Sequence, residues 1–348
     1  MSIESPDKKR PLLELTEAEL STFFVGCGEK PFRAKQLHEW IYRKYTLDFA
    51  KMSNLGKALR EKLETAFMPT STTITARQAS EDGTVKLLLK LADAETIEMV
   101  LIPSPNRMTF CLSTQVGCPV RCRFCASGQH GLIRNLTKAE ILEEVFRGIA
   151  EIGKLPDNIV FMGIGEGLTN LSNLLPAIDV ITSHNGLGMS PRRLTVSTSG
   201  IVPGIRKLAD YGKELTLAIS LHATDEGMRA KLIPEAMRYP IKEILQAADE
   251  YSERIGRMVT FEYAIIAGIN DSPAAAKALA EIAKKHHAKI NLIPYNETMS
   301  GFQRPSQSVI QRFSEILEKE KVAMTLRLEK GADVTAACGQ LRSRYSHK

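Results

Sequence analysis

Apolar residues near the start of the chain recur three or four positions apart. The stretch NLGKALREKLETAF, for example, places Leu55, Leu59, Leu63 and Phe67 in register. This spacing puts the four side chains on one face of a helix, where they can pack against a core. Similar spacing in LTEAELSTFFVG and PFRAKQLHEWIYRKY predicts two further helices, so residues 1–75 are expected to form a small helical domain.

From Thr84 onward the pattern changes to that of strands. TVKLLLKLA and TIEMVLIP flank a short polar turn and predict a β-hairpin, which occupies residues 76–106. Short apolar runs then alternate with amphipathic stretches over residues 107–348. This alternation predicts a parallel sheet of the α/β class and suits a whole or partial (β/α) barrel, with a doubly wound sheet as the alternative. The predicted strands are MTFCLST, NIVFMGIG, RRLTVSTSG, ELTLAISLH, MVTFEYAII, KINLIPYN and VAMTLRLE.

Composition narrows the class of protein. Of the 348 residues, 43% are hydrophobic and 25% are charged, which is ordinary for a globular protein and excludes a disordered chain. No apolar run approaches the ~20 residues that a membrane-spanning helix needs, and the N-terminus lacks the apolar core of a secretory signal. We therefore expect a soluble, cytoplasmic protein with no membrane partner.

The net charge of +6 is unevenly distributed. No acidic residue lies between Glu98 and Glu140, and the C-terminal tail LRSRYSHK is also basic. A basic surface suits a polyanionic partner, although a solvated surface of a near-neutral protein explains the charges equally well. The basic residues of the acid-free stretch are Arg107, Arg121, Arg123, Arg134 and Lys138.

Four of the six cysteines lie within fifteen residues. Cys118, Cys122 and Cys125 form a C-x3-C-x2-C motif directly after the first predicted barrel strand. Clustered cysteines in an intracellular chain more often bind metal or take part in redox chemistry than staple the fold. Three thiolates on one loop can ligate three irons of a [4Fe–4S] cluster and leave the fourth iron open. Two alternatives remain. One is a zinc site that His130 completes, and the other is a set of buried thiols that bind no metal.

Polar residues stand where several predicted strands end. In β/α barrels the reactive groups lie at the C-terminal ends of the strands, because that face carries the variable loops. We therefore expect a functional site at this face. The polar residues at the strand ends are Glu166, Ser197, Ser220, His222 and Asn296.

The cysteine motif, with Phe124 before its last cysteine, resembles that of the radical S-adenosylmethionine (SAM) superfamily. The blocks FRAKQLHEWIY, MGIGEG, LTVSTSG, ISLHA, INLIPYN and DVTAACGQLR resemble, in this order, the RlmN/Cfr family of adenine methyltransferases acting on 23S ribosomal RNA. The similarity extends over residues 16–342. It implies a partial (β/α) barrel of the radical SAM type, preceded by a small N-terminal helical domain that assists RNA binding.

The resemblance implies one [4Fe–4S] cluster, held by Cys118, Cys122 and Cys125. The open iron is implied to bind the amino and carboxylate groups of SAM. An electron from a low-potential donor such as flavodoxin or ferredoxin then cleaves SAM to methionine and a 5′-deoxyadenosyl radical. Two SAM molecules are used for each methyl transfer.

The resemblance also assigns catalytic roles to Cys338, Cys111 and Glu98. Cys338 is implied to take a methyl group from SAM, as a thiolate can by displacement, and to carry the carbon to an adenine ring that offers no nucleophile. Cys111 is implied to break the resulting RNA–Cys338 adduct, which leaves a transient disulfide between the two cysteines. Glu98 is implied to remove the ring hydrogen as a base, although the sequence pattern alone favours a glutamate on the hairpin surface.

The residues that the resemblance assigns to SAM binding are Gly165, Glu166, Ser197, Ser220, Leu221, His222 and Asn296. The chain departs from the family pattern at three nearby positions. Ile164 and Gly167 stand where the family commonly has methionine and proline, and Glu297 stands where it commonly has proline.

The position of the methyl group on the adenine is indicated by one block. Ser199, in STSG, follows the RlmN branch, whereas Cfr-like chains tend to have isoleucine there. The expected reaction is therefore methylation of C2 of an adenine in 23S rRNA, and of the adenine next to the anticodon in tRNA. Methylation at C8 is the alternative within the family. A non-catalytic, zinc-stabilised RNA-binding protein is the alternative from a different class.

Overall fold

Amphipathic helices form the N-terminal part of the fold. The computed structural model describes residues 9–234, 239–298, 300–327 and 330–341. The first elements are β1 (Arg10–Pro11), α1 (Glu17–Gly26), α2 (Phe32–Tyr42), α3 (Lys57–Ala66) and β2 (Phe67–Met68). Strand β2 pairs in parallel with β1 and brings the two ends of this segment together. Leu59 and Leu63 are buried on one face of α3, as their spacing predicts.

A large sheet forms the rest of the fold. The further strands are β3 (Thr73–Ala79), β4 (Val85–Lys90), β5 (Thr96–Ser104), β6 (Arg107–Cys111), β7 (Gln115–Gly117), β8 (Leu132–Asn135), β9 (Asn158–Phe161), β10 (Leu194–Thr198), β11 (Thr216–Ser220), β12 (Thr260–Ile265), β13 (Lys289–Pro294) and β14 (Met324–Leu326). Over the described residues, ten of them pair in the order β14-β13-β12-β11-β10-β9-β6-β5-β4-β3.

The order of the strands identifies the architecture. The seven strands from β6 to β14 in this sheet are parallel and follow chain order, whereas β5, β4 and β3 extend it in antiparallel fashion. A doubly wound sheet reverses its strand order, and a barrel does not. The predicted partial (β/α) barrel is therefore confirmed.

Helices connect the parallel strands. They are α4 (Lys138–Ile152), α5 (Leu171–Thr182), α6 (Val202–Tyr211), α7 (Glu226–Leu232), α8 (Ile241–Ile255), α9 (Pro273–Lys285) and α10 (Gln307–Lys319). Helix α4 begins with a capping box, in which the Thr137 side chain and the Glu140 carboxylate each accept a backbone N–H of the other residue. Gly148 lets α4 approach β6 closely, because an added Cβ would lie 2.4 Å from the Phe110 ring.

Some strands differ from the expectation. The predicted hairpin is part of a longer antiparallel arrangement, because β3 precedes it and β6 follows it in the sheet. Within its described residues, the predicted strand VAMTLRLE contributes the short β14. Strands β7 and β8 form a separate ribbon that no apolar run indicated, since they have only three and four residues. Gly117 closes this ribbon with a φ of 74°, where an added Cβ would lie 2.0 Å from the carbonyl oxygen of Gly131.

Candidate active site

A cavity opens at the C-terminal ends of strands β9 to β13, where the sequence predicts a site. It contains about 990 Å³ of space free of protein atoms, part of it open to solvent. Each of these strands, or the loop that follows it, contributes polar groups to the wall. The polar residues from the strand ends are Glu166, Ser197, Thr198, Ser199, Ser220, His222, Glu262, Tyr295 and Asn296.

The loop of residues 118–131, called the cysteine loop below, forms one wall of the cavity. It connects β7 to β8, and Cys118, Cys122 and Cys125 all line the cavity. The backbone N–H of Cys118 donates to the carbonyl oxygen of Gly131 at 3.0 Å, so the two ends of the loop are held together. The tight path inside the loop requires Gly128, since an added Cβ would lie 2.9 Å from the Cα of a neighbouring loop residue.

The three cysteines of the loop are free thiols suited to bind metal. Burial raises the pKa of each thiol, to about 12 for Cys118, so metal binding would include loss of the protons. In the described part of the chain, no three His, Cys, Asp or Glu side chains could hold a single metal ion together. A [4Fe–4S] cluster gives each thiolate its own iron, so its ligands surround a larger space. The donor set therefore fits a cluster better than a single zinc ion, and His130 does not line the cavity.

The segment of residues 330–341, called the Cys338 segment below, closes the cavity from the other side. Cys338 and Gly339 line the same cavity as the three loop cysteines. The carbonyl oxygen of Gly339 accepts the N–H of Ala126 at 2.7 Å, and the Ser127 hydroxyl donates to the carbonyl oxygen of Leu341 at 2.7 Å. The fold thus brings Cys338 to the cysteine loop from a distant part of the sequence.

A second, smaller cavity lies beside the first and has Cys111 in its wall. Cys338 and Asn296 line both cavities. Burial raises the pKa of the Cys111 thiol to about 12, and a charge on nearby Cys338 adds to the effect. Both cysteines are free thiols in this structure. The arrangement places the two thiols that the resemblance pairs on one shared cavity.

Glu98 lies apart from both cavities. It is fully buried on β5, and its carboxylate pairs with the ammonium group of Lys86 at 2.9 Å. The interpretation of Glu98 as a glutamate on the hairpin surface is therefore wrong. The Lys86 ammonium group also donates to the Thr335 hydroxyl at 2.9 Å, which connects the pair to the Cys338 segment. Glu98 does not line either cavity, and its role as a base stays a prediction.

The residues predicted to bind SAM are almost all in the wall of the first cavity. Gly165, Glu166, Ser197, Ser220, His222 and Asn296 line it. Leu221 does not line it and is fully buried. Gly165 has a φ of 117°, and an added Cβ would lie 2.7 Å from the side chain of Gln115. Only glycine fits this position without displacing its neighbours.

Glu166 and His222 already have protein partners. The Glu166 carboxylate accepts the N–H of Ser199 at 2.6 Å and that of Leu168 at 3.2 Å. The Nδ1 atom of His222 accepts the N–H of Ala264 at 2.9 Å, so the proton of the neutral ring lies on Nε2. Burial lowers the pKa of His222 to about 3, and the ring stays neutral at physiological pH.

Asn296 offers a buried hydrogen-bond acceptor in the cavity wall. Its side-chain N–H donates to the carbonyl oxygen of Cys338 at 3.1 Å. Its Oδ1 atom is buried and accepts no hydrogen bond from the residues that the structure describes. A buried acceptor without a partner is costly, so a hydrogen-bond donor of a bound molecule fits here. SAM offers such donors in its amino and hydroxyl groups.

Sequence reasoning missed several charged groups around the cavities. Glu262 on β12 and Arg327 after β14 line the first cavity, and Arg327 also lines the second. Arg229 on α7 is buried behind the strand ends. The signal for Glu262 is a charged residue in the apolar run MVTFEYAII. The arginines gave no signal, because they lie among other charges in amphipathic segments.

The acid-free stretch is only partly available to a polyanion. Arg107, Arg121 and Arg123 are exposed. Arg134 instead forms ion pairs with Asp93 at 2.6 Å and with Glu140 at 2.8 Å. The basic tail lies outside the described residues except for its first residue, 341. Of the exposed basic residues in the acid-free stretch, Arg121 and Arg123 therefore lie on the cysteine loop, whereas Arg107 begins β6.

Comparisons with known proteins agree with this geometry. The radical SAM superfamily matches residues 112–279, and the family described as the ribosomal RNA large subunit methyltransferase N-terminal domain matches residues 11–68. A protein of Lachnoclostridium phytofermentans named "probable dual-specificity RNA methyltransferase RlmN" is 42% identical over 348 residues, which covers 99% of this chain and 98% of that protein. The chain belongs to the RlmN family.

Further comparisons support the RlmN assignment. An Akkermansia muciniphila protein of the same name is 42% identical and covers 94% of each chain. The crystal structure of a radical SAM methyltransferase from Sphaerobacter thermophilus matches with a TM-score of 0.92 at 41% identity, over 96% of this chain and 100% of that one. The predicted radical SAM fold is thus confirmed. None of the helices in the described ranges combines the length and apolar character that a membrane crossing requires.

Proposed function

We propose that this RlmN-family chain is a radical SAM methyltransferase that methylates C2 of an adenine in 23S rRNA. We further propose that it acts on the adenine next to the anticodon in tRNA and that Cys338 carries the methyl group. One observation supports this proposal most directly, namely that Cys338 lines the same cavity as Cys118, Cys122 and Cys125. The relatives named as dual-specificity RNA methyltransferases support the choice of RNA substrates.

The first cavity would hold the cofactors. Cys118, Cys122 and Cys125 would ligate a [4Fe–4S] cluster, which supplies the electron that cleaves SAM to a 5′-deoxyadenosyl radical. Asn296 offers its unpartnered Oδ1 as an acceptor, and the Nε2–H of neutral His222 is a donor. Flavodoxin or ferredoxin is the class of electron donor that we propose.

Cys338 would act first as a nucleophile. Its sulfur forms a bond to the methyl carbon of one SAM molecule, the bond from that carbon to the sulfonium sulfur breaks, and S-adenosylhomocysteine leaves. The thiol proton is lost before this step, since the thiolate is the nucleophile. Arg327 lines the cavity with Cys338, and a negative charge on Cys338 is the main cause that raises the pKa of Arg327. The guanidinium is therefore placed to stabilise the thiolate.

Cys111 would act last. After the carbon has reached the adenine, the Cys111 sulfur forms a disulfide with Cys338, and the bond from Cys338 to the transferred carbon breaks. The electron pair of that bond stays on the carbon, which takes up a proton and becomes the methyl group. The shared lining of the second cavity by Cys111 and Cys338 supports this step. The disulfide must then be reduced by a cellular dithiol before the next cycle.

The C2 position is proposed because of Ser199. This residue lines the first cavity and follows the RlmN pattern at the end of β10. An isoleucine, as in Cfr-like chains, would add bulk to this wall. Methylation at C8 is the second candidate and would use the same cysteines.

The test is an anaerobic assay of the reconstituted protein on unmodified 23S rRNA and tRNA, with SAM and a reductant. Nuclease digestion and mass spectrometry against 2-methyladenosine and 8-methyladenosine standards identify the product. We expect about four irons per chain and 2-methyladenosine from both RNAs. The 8-isomer alone would overturn the C2 assignment, and a colourless protein with one zinc ion would overturn the enzyme itself. Product from only one RNA would overturn the claim for the other.

A further inference from the structure

Arg229 on α7 joins the ends of two strands behind the cavity. Its side chain is only 1% exposed. The Nη1 atom donates to the carbonyl oxygen of Ser220 at 2.9 Å and to that of Leu221, and Nη2 donates to the carbonyl oxygen of Ser199. Ser220 ends β11, and Ser199 directly follows β10. One guanidinium therefore fixes the spacing of two strand ends that line the proposed SAM site.

Among the described residues no carboxylate forms an ion pair with Arg229, although the charge of Glu226, one turn earlier in α7, favours its charged form. The Nε atom of Arg229 also lacks a hydrogen-bond acceptor among the described residues. Burial lowers the pKa of Arg229 to about 10, which shows that the surroundings disfavour the positive charge. A buried charge is normally balanced by an opposite one, because its desolvation is costly. A buried cation with no carboxylate in ion-pair contact thus favours a further negative group nearby.

The cysteine loop would supply that negative group when its three thiolates hold a cluster. Met228 and Leu232, on either side of Arg229 in α7, belong to one apolar cluster with Val120 and Cys122. The backbone N–H of Arg123 donates to the carbonyl oxygen of Leu232 at 3.0 Å. Helix α7 therefore brings Arg229 against the back of the cysteine loop.

We infer that Arg229 is a positioning residue with two effects, balancing the negative charge of the cluster ligands and aligning the strand ends that contact SAM. The inference rests on the proposed function. A [4Fe–4S] cluster with three thiolate ligands is negatively charged and gains one more negative charge on reduction. A fixed cation nearby stabilises the reduced form more than the oxidised form, and therefore raises the reduction potential.

Two substitutions separate the effects. Arg229→Lys keeps a positive charge but loses the planar group that reaches both strands, whereas Arg229→Met keeps similar bulk and loses the charge. The matched control is Arg206→Met on α6, because Arg206 is half-exposed and pairs with Glu250 at 2.8 Å, away from the cavity. Each holoprotein is analysed for iron, for its midpoint potential by an EPR-monitored redox titration, and for SAM affinity by equilibrium dialysis.

We expect Arg229→Met to shift the reduction equilibrium about tenfold towards the oxidised cluster, which is a fall of about 59 mV for a one-electron couple. Arg229→Lys should keep the reduction equilibrium of the cluster within threefold of the wild-type value. Both variants should bind SAM about tenfold more weakly than the wild type. The Arg206→Met control should match the wild type in both measurements.

The results distinguish this inference from the proposed function. A wild-type protein that binds no cluster overturns the proposed function. A wild-type cluster together with an unchanged potential in Arg229→Met overturns the charge effect. If Arg229→Met does not fold, the Lys variant still decides, because undiminished SAM affinity in Arg229→Lys overturns the alignment effect. If Arg229→Lys lowers the reduction potential by as much as is expected for Arg229→Met, the charge effect is overturned.

Discussion

The cysteine loop and the Cys338 segment meet at one cavity but are held in different ways. The loop leaves β7 and returns as β8, so the pairing of these two strands fixes both of its ends. Its middle is bonded to α7 through Leu232. The Cys338 segment is attached by scattered single hydrogen bonds, such as those of Gly339 and Leu341 to the loop, and by the apolar contacts of Ala336 and Leu341. The carbonyl oxygen of Cys338 is bonded to a side chain and not to another strand.

The difference matches the tasks that we propose for the two segments. Three ligands of one cluster need a fixed geometry, which paired strands supply. Cys338 must meet SAM first, then RNA, and finally Cys111, so its sulfur has to change partners. Segments held by few hydrogen bonds open at a lower free-energy cost than paired strands do. The two kinds of attachment therefore separate a rigid cofactor site from a sulfur that moves between reactants.

The largest expected contrast comes from removing one sulfur on each side. Cys118→Ser should lose the cluster, because only two of the three thiolates of the motif are left to hold it. Without the cluster, the variant should also lose all methyl transfer. Cys338→Ala should lose methyl transfer equally completely but keep about four irons per chain. Iron and sulfide analysis, together with the rRNA assay, distinguishes the two outcomes. Cluster loss in Cys338→Ala would show that the Cys338 segment is part of the rigid site, and the comparison would fail.

The next contrast concerns the release of RNA. Cys111→Ala should stop the reaction after the first adduct, because no thiol is left to displace Cys338. RNA should then remain covalently attached to the protein after turnover, visible as a protease-sensitive band on a denaturing gel. The matched control is the double variant Cys111→Ala/Cys338→Ala, which should carry no RNA. Free RNA and normal product from Cys111→Ala would exclude the proposed role of Cys111.

A stability effect of several kcal/mol is expected at the anchor of the Cys338 segment. Lys86 and Glu98 form an ion pair that is almost entirely buried, with side chains 4% and 0% exposed. Lys86→Met breaks this pair and leaves the Glu98 carboxylate buried, and breaking a buried pair costs about 3–5 kcal/mol of the free energy of unfolding. It also removes the hydrogen bond to Thr335. Urea unfolding measures the loss, while the iron content should not change.

Two controls test this explanation. Lys86→Met/Glu98→Leu removes both charges and should recover most of the lost stability, because a buried pair replaced by apolar residues is often neutral. Arg77→Met breaks a more exposed pair with Glu151 and should cost less than about 1 kcal/mol. If the double variant is no more stable than Lys86→Met, the loss does not come from the buried Glu98 charge.

Much of the fold could be predicted because periodicity is a local property. The helices, the parallel strands and the position of the site at the strand ends all follow from short stretches of sequence. The cysteine motif is also local, since Cys118, Cys122 and Cys125 lie within eight residues. The nearness of Cys338 to them came from a family resemblance, and no local pattern contains it.

The buried charges could not be predicted because they depend on strand register and on packing between distant elements. The polar and apolar pattern of TVKLLLKLA predicts that Lys86 lies on the polar, exposed face of a strand. It is buried because β4 and β5 pair with Lys86 opposite Val100 and Leu88 opposite Glu98, which brings the two charges diagonally together. Arg229 likewise depends on three carbonyl groups of two other elements.

The smallest expected contrast concerns Glu144, a fully buried carboxyl on α4 near Cys111. One of its oxygens accepts the N–H of Ser113 at 2.9 Å, and the other has no hydrogen-bond partner among the described residues. Burial raises the pKa of Glu144 well above 4.5, so the folded state keeps a proton that the unfolded state loses. Stability contributed by this group is therefore present below pH 4.5 and is lost as the pH rises towards the folded pKa.

Glu144→Gln removes this dependence. By pH 8 the free energy of unfolding of the variant should exceed that of the wild type by on the order of 1 kcal/mol, as measured by urea unfolding across pH 5 to 8. Iron content should be equal in the variant and the wild type, because Glu144 contacts neither the cysteine loop nor its ribbon by any hydrogen bond in the described ranges. Parallel curves for Glu144→Gln and the wild type would instead mean that the carboxyl is charged when folded.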